Sequence, residues 1–283
     1  MTDSEIKLGY IGLGNMGAPM AGRLVDWPGG VTVFDVRPEA MAPLTESGAT
    51  AATSVADVGT ADVISVTVLD DAQVRQVVAE VAVNAKAGTV IAIHSTISDS
   101  TAVELARRYA ARGIQVIDAP VSGGAVAAAN GELATMVGAD HDVYQRVKPV
   151  FKRWASLVIH AGPPGAGTRM KLARNMLSFT AFAAAGEAMR LAEASGLDLQ
   201  ALGRVVRHTD ALTGGPGAIM LRDSTAALEP DDFLYRPFAH TRGLGEKDLS
   251  LALALGESIG VELPLAQLAL RWLAVGLGEP DTE

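Results

Sequence analysis

The feature that most restricts the fold is an alternation that runs through the first 160 residues and then stops. Short β-branched runs, "IKLGYIGLG", "VTVFDV", "DVISVTVL", "TVIAIHS", "IQVIDAPV", "LATMVGA" and "LVIHAG", are separated by amphipathic stretches such as "DDAQVRQVVAEVAVNA", "STAVELARRYAARG" and "HDVYQRVKPVFKRWA". Apolar strands alternating with helices of ten or more residues are the signature of βαβ units around a mostly parallel sheet. After "AGPPGAG" no β-rich run remains, and the rest reads at helical period. The expected architecture is α/β: a Rossmann-type doubly wound sheet domain over residues 1–163, then an all-α domain over 164–283. A long helix from about residue 167 to 194, roughly 42 Å at the standard rise, joins them. "LDLQALGRVVRHT", "EKDLSLALALGESIG" and "PLAQLALRWLAVGLG" supply further helices, with "LTGGPGAIML" and "LEPDDFLYRPFAHTRGLG" as irregular links.

The first strand leads into "YIGLGNMGAPMAGRL", which sets Gly12, Gly14 and Gly17 at G-x-G-x-x-G spacing between a strand and a helix. In that setting each glycine has its own role. Gly12 permits the tight turn, Gly14 lets a pyrophosphate reach the backbone, and Gly17 lets helix pack on strand. The turn formed by Gly12, Leu13, Gly14, Asn15, Met16 and Gly17 then faces the phosphates with free N–H groups and the positive end of the helix dipole. Eighteen positions after Gly17, "VTVFD" ends in Asp35, placed to accept both ribose hydroxyls of an adenosine. A 2′-phosphate would meet like charge there, so NAD is favoured over NADP, with Arg37 two residues on as the residue that would favour the phosphate. A dinucleotide is therefore the expected cofactor.

Composition narrows the chemistry around it. With no cysteine, thiolate metal sites, iron–sulfur clusters and thiol nucleophiles are excluded, and no metal is expected. A net charge of −9 with scattered basic residues argues against a nucleic-acid partner. The opening "MTDSEIK" and the lack of a long apolar run predict a cytoplasmic protein that does not enter a membrane.

Two further motifs point to a substrate. In "DAPVSGG", Ser122, Gly123 and Gly124 stand where a strand hands over to a helix; they read either as an ordinary turn or as a nest of N–H groups and a hydroxyl for a carboxylate. In "GAGTRMKLARNM", Lys171 and Asn175 lie one turn apart at the entry to a segment nearly free of charge until Glu187, with Gly167 one turn earlier leaving room for cofactor or loop. A lysine in such a place either snorkels to solvent or works with its pKa lowered by burial. Beside a dinucleotide site the second reading prevails, because hydride transfer at a carbinol carbon leaves a proton to be handled. Asn175 on the same face holds substrate or amine.

Together these motifs resemble the β-hydroxyacid dehydrogenases, typified by 3-hydroxyisobutyrate dehydrogenase, from "GYIGLGNMGAPMAGRL" through "DAPVSGG" and "GAGTRMKLARNM" to "EKDLSLALALGESIGVELPLA". The resemblance implies NAD(P)-dependent oxidation of a small 3-hydroxy acid or reduction of the matching semialdehyde. It puts Ser122, Gly123 and Gly124 on the substrate carboxylate, Lys171 as general acid/base, and Asn175 as a residue that assists substrate binding. It also sets Ser95 and Thr96 of "STI" beside the nicotinamide, Lys247 and Asp248 over the cofactor, and the chain in a homodimer or homotetramer.

Three features depart from the family pattern. His94 precedes "STI", as a core histidine or a tuning group, with the core role preferred. "FAHTRGLGEKD" looks about two residues longer than usual and brings His240 and Arg242 into a loop near the substrate; Arg242 or Arg236 there would meet a second anionic group or stay solvated. The terminal "GLGEPDTE" is shorter than in many members, which predicts that a covering segment is lacking. Imine reductases, whose site usually carries another residue in place of Lys171, and a non-catalytic dinucleotide-binding protein are the alternatives.

Overall fold

The computed structural model describes residues 6–222 and 224–279; the first five residues, Asp223 and the last four, including most of "EPDTE", lie outside them. The chain forms two compact units, dividing between Arg174 and Asn175.

In the first unit the elements are β1 (Leu8–Ile11), α1 (Gly17–Gly22), β2 (Val31–Phe34), α2 (Ala42–Glu46), β3 (Thr50–Ala51), α3 (Val55–Val58), β4 (Val63–Val66), α4 (Asp71–Asn84), β5 (Val90–Ile93), α5 (Asp99–Ala110), β6 (Gln115–Asp118), β7 (Val121–Ser122), α6 (Gly124–Asn130), β8 (Leu133–Gly138), α7 (His141–Phe151) and β9 (Ala155–Gly162). Strand order is β3-β2-β1-β4-β5-β6-β8-β7, with β9 on β8. From β3 to β6 all pairs are parallel. The sheet then changes sense, because β8 runs antiparallel to both β6 and β7. All seven strand runs read from the sequence are present. The order reverses at β1, where β2 and β4 leave on opposite sides, and in such sheets ligands collect at the carboxyl ends of the strands beside that point.

β1, β4 and β5 are buried along their whole length, as expected of strands covered on both faces. One face carries an apolar cluster that includes Leu8, Tyr10, Met20, Trp154 and Phe151. The other carries Ile64, Ile91, Val74, Val78 and Leu105. Asp70 starts α4 by accepting the Gln73 N–H at 2.9 Å.

α8 (Ala166–Ala194) begins in the first unit and continues into the second. The second unit adds α9 (Leu199–Thr213), α10 (Tyr235–Ile259) and α11 (Pro264–Gly276). Buried Glu187 caps α11 by accepting the N–H groups of Leu265 and Ala266 at 2.8 and 3.1 Å. Here one expectation fails. The stretch "YRPFAHTRGLG" is no loop but the first half of α10. Gly243 and Gly245 read as loop formers, yet Gly245 serves packing: a Cβ there would lie 2.6 Å from Leu273 of α11. His240 and Arg236 are exposed on this helix. Arg242 is held by Glu246 at 2.6 Å and by Glu279, so its charge is already committed.

Candidate active site

The fingerprint turn has the geometry that a dinucleotide demands. Gly12 takes φ +90°, and a Cβ on it would fall 2.0 Å from the Thr67 carbonyl oxygen. A Cβ on Gly17 would sit 1.9 Å from the Gly12 oxygen. Both are closed by backbone, so these two glycines serve the fold. Gly14 differs: its Cβ direction is empty to 4 Å, and it is exposed beside exposed Asn15. An open glycine between two enclosed ones leaves bare backbone for a bulky anion. Met16 packs part-buried against the core just ahead of α1.

A cleft of about 720 Å³ opens here, lined by Gly12, Gly14, Asp35 and Arg37 from the strand ends and by Val55 and Val77 from the flanking helices. It is of the size that cofactor sites have. Asp35 is nearly buried; Oδ2 accepts the Leu13 N–H at 2.7 Å and Oδ1 the Arg37 N–H at 2.9 Å. The Arg37 Nε adds an ion pair at 3.3 Å. Burial by itself would raise the carboxyl pKa, but these N–H groups and the guanidinium outweigh it and hold Asp35 below the usual carboxylate range. The sequence presents Arg37 only as a residue that would favour a phosphate; its grip on Asp35 emerges from the fold.

Ser95 follows β5 and is buried. Its Oγ donates to the Val68 carbonyl at 2.7 Å and accepts the Val68 N–H at 2.9 Å, which ties the loop after β4 to the end of β5. Thr96 is exposed. His94 is a core residue: Nδ1 donates to the Ala119 carbonyl at 2.7 Å, leaving Nε2 to accept from Ser65 Oγ at 3.0 Å. It stacks on Tyr10 and meets Phe151 and Trp154 edge-on. Burial pushes its pKa down to about 4.

Ser122 ends β7, paired with Ala134 of β8, and is partly buried. Gly123 (φ +136°) and Gly124 (φ +82°) are exposed, and both conformations favour glycine. The start of α8 rests on the same strand. A Cβ on Gly167 would fall 2.3 Å from the Met136 oxygen, so this glycine seats α8 on β8. The room expected at Gly167 for cofactor or loop is therefore filled by β8. Since Ala134 and Met136 are two residues apart, the serine loop and the first turn of α8 attach to one strand about 7 Å apart.

Lys171, in the second turn of α8, is buried, with 8% of its surface exposed. No carboxylate pairs with it among the described residues. Burial, and then the positive charge of Arg174, lower its pKa. Asn175 follows one turn later as the first residue of the second unit. Lys247 and Asp248 belong to that unit, are exposed on α10 and pair with each other at 3.1 Å. Sequence reasoning missed Asp118, the acid of "DAPVSGG". It is fully buried at the end of β6, and an acid closing an apolar strand was the available signal.

A mostly parallel sheet with an open glycine in the turn after β1, an ionised carboxylate in the cleft beside it and a buried lysine of lowered pKa fits a nicotinamide-dependent oxidoreductase. Residues 7–162 match the model for the NAD binding domain of 6-phosphogluconate dehydrogenase. Residues 165–279 match that for the NAD-binding region of NADP-dependent 3-hydroxyisobutyrate dehydrogenase. An oxidoreductase of Mycobacterium tuberculosis is 68% identical over 98% of this chain and 96% of its own. The 3-hydroxyisobutyrate dehydrogenase of Pseudomonas aeruginosa is 34% identical over 95% and 90%. A crystal structure of a Mycobacterium avium 104 protein described only as an oxidoreductase superposes with a TM-score of 0.95 at 76% identity, covering 97% and 99%. The chain belongs to the 3-hydroxyisobutyrate dehydrogenase-like β-hydroxyacid dehydrogenases, and it is an NAD(P)-dependent dehydrogenase. Among the described residues no cluster of ligating side chains suits a metal ion, and no helix is long and apolar enough to cross a membrane.

Proposed function

We propose that the protein oxidises a small 3-hydroxy acid, or reduces the matching semialdehyde, with Lys171 as the proton-handling group. The observation that carries this reading is a lysine buried without a carboxylate partner among the described residues, its pKa lowered, on a helix seated against the strand that also holds the Ser122 loop. A lysine whose pKa burial lowers takes the hydroxyl proton in its amine form and returns it in its ammonium form.

Gly12, Leu13, Gly14, Asn15, Met16, Gly17 and Asp35 are assigned to the dinucleotide, with Ser95 and Thr96 toward the nicotinamide and Lys247 and Asp248 as covering residues. When bound, the cofactor supplies the hydride acceptor. Ser122, Gly123 and Gly124 are assigned to the substrate carboxylate, whose charge their N–H groups and hydroxyl neutralise. Asn175 orients the substrate beside Lys171. The ionised carboxylate of Asp35 supports NAD over NADP. Residues 1–163 are assigned to dinucleotide binding and residues 164–283 to the substrate and to oligomerisation. A second copy of the chain is assigned to the exposed apolar faces of the second unit, where Met176, Phe179, Phe182 and Trp272 stand more than half exposed.

A solved imine reductase from Pseudomonas sp. shares the fold at 21% identity, and a lysine at position 171 argues against that reading. The reading is tested by reduction of NAD and of NADP over 3-hydroxyisobutyrate, 3-hydroxypropionate, glycerate, L-serine and L-threonine. Turnover of one acid supports it; turnover only of cyclic imines with NADPH overturns it.

A further inference from the structure

The first N–H groups of a helix have no acceptor within it, and a side chain just ahead usually supplies one. The residue ahead of α8 is Gly165, which has no side chain to offer. The acceptor comes instead from 47 residues upstream: Asp118 Oδ1 accepts the Gly165 N–H and Oδ2 the Thr168 N–H, each at 2.6 Å. Asp118 is 0% exposed, and no cation pairs with it among the described residues. Its charge is met by two amides and the positive end of α8. The approach is tight on every side. A Cβ on Gly138 would fall 2.2 Å from Asp118 Oδ1, and one on Gly167 would lie 3.0 Å from the Asp118 carbonyl oxygen.

A local serine or asparagine would satisfy the same amides yet leave the helix free to shift on the sheet. An acid rooted in β6 removes that freedom. Lys171 lies three residues past Thr168 on the same face, so whatever seats Thr168 also decides how deeply the lysine amine is buried.

We propose that Asp118 is a positioning residue for the reaction: by clamping the first turn of α8 to β6 it fixes the place and the desolvation of the Lys171 amine. The proposal rests on the assignment of Lys171 to the proton. In Asp118→Asn one carbonyl acceptor remains and an NH₂ faces the other amide. The expected result is a kcat lower by on the order of 10²-fold, with NAD affinity unchanged. The midpoint of the pH–kcat/KM profile moves upward, toward that of an ordinary lysine, as the amine rehydrates. A loss that merely follows the folded fraction, or a midpoint that stays or falls, overturns the proposal.

Acetylation of Lys171 across pH, read by peptide mass spectrometry in wild type and Asp118→Asn, gives the amine midpoint without turnover. It separates failure of this proposal from failure of the catalytic assignment, which Lys171→Ala tests by itself. Should Asp118→Asn not fold, amide exchange in the unaltered protein decides: the proposal requires slow exchange at Thr168, and free exchange there overturns it.

Discussion

Asp35 and Arg37 are bound to each other in the cleft beside the glycine turn, the guanidinium Nε 3.3 Å from the carboxylate that the Arg37 and Leu13 N–H groups also grip. The pairing keeps Asp35 ionised and keeps Arg37 from offering its full charge to a phosphate. NADH is therefore expected to bind more tightly than NADPH. In Asp35→Ser, with Arg37 released, the ratio of the two Kd values should shift toward NADPH by about tenfold or more, about 1.4 kcal/mol. Fluorescence titration of both cofactors checks it; an unchanged ratio would show that Asp35 does not meet the ribose.

Gly14 and Gly17 of the turn should separate by mutation. Gly14→Ala points a methyl into open space, so stability should change by no more than about 0.5 kcal/mol while NAD affinity drops at least about tenfold. Gly17→Ala drives a methyl into the Gly12 carbonyl and should cost about 3 kcal/mol or more. Thermal unfolding with and without NAD distinguishes the two effects.

His94 links stability to pH. Its folded-state pKa of about 4 lies below the unfolded value of 6.5, so between these values the unfolded chain binds more protons than the native protein. Stability is then fully present above pH 6.5 and declines as pH falls toward 4, by up to roughly 3 kcal/mol from this group. Denaturant unfolding from pH 4 to 7 should show that slope in wild type and a flatter one in His94→Asn. Equal slopes would mean that the imidazole is not held neutral.

Thr168 carries a hydroxyl that is buried without a hydrogen-bond partner among the described residues, although its N–H is bound by Asp118. Valine keeps the shape and removes the unmet polar group, so Thr168→Val should gain about 1 kcal/mol. A loss of that size in denaturant unfolding would show that the hydroxyl holds an ordered water.

Local pattern revealed much of this protein, and what it missed has physical reasons. Strands β1, β2, β4, β5, β6, β8 and β9 announced themselves because each lies in an apolar run and is four or more residues long. β3 and β7, of two residues each, are too short to show a period. The first half of α10 was hidden by Gly243 and Gly245, since a glycine that admits Leu273 looks the same in sequence as one that breaks a helix. Gly167 misled for a similar cause: its absent side chain makes way for β8. The glycine turn and the buried setting of Lys171 were legible because spacing along one turn or one helix is local. Asp118 was not, because its two amides lie 47 and 50 residues away.

The central claim is the role of Lys171, and the most direct measurement compares wild type with Lys171→Ala. Steady-state oxidation of 3-hydroxyisobutyrate and L-serine is followed across pH beside NAD titration of both proteins. Wild-type kcat/KM should rise with pH, because the amine form is the base, with a midpoint below the ordinary lysine value of 10.5. Lys171→Ala should lose about 10²- to 10⁴-fold in kcat, lose the pH dependence, and bind NAD as before. A variant that turns over at the wild-type rate with the same profile would contradict the account.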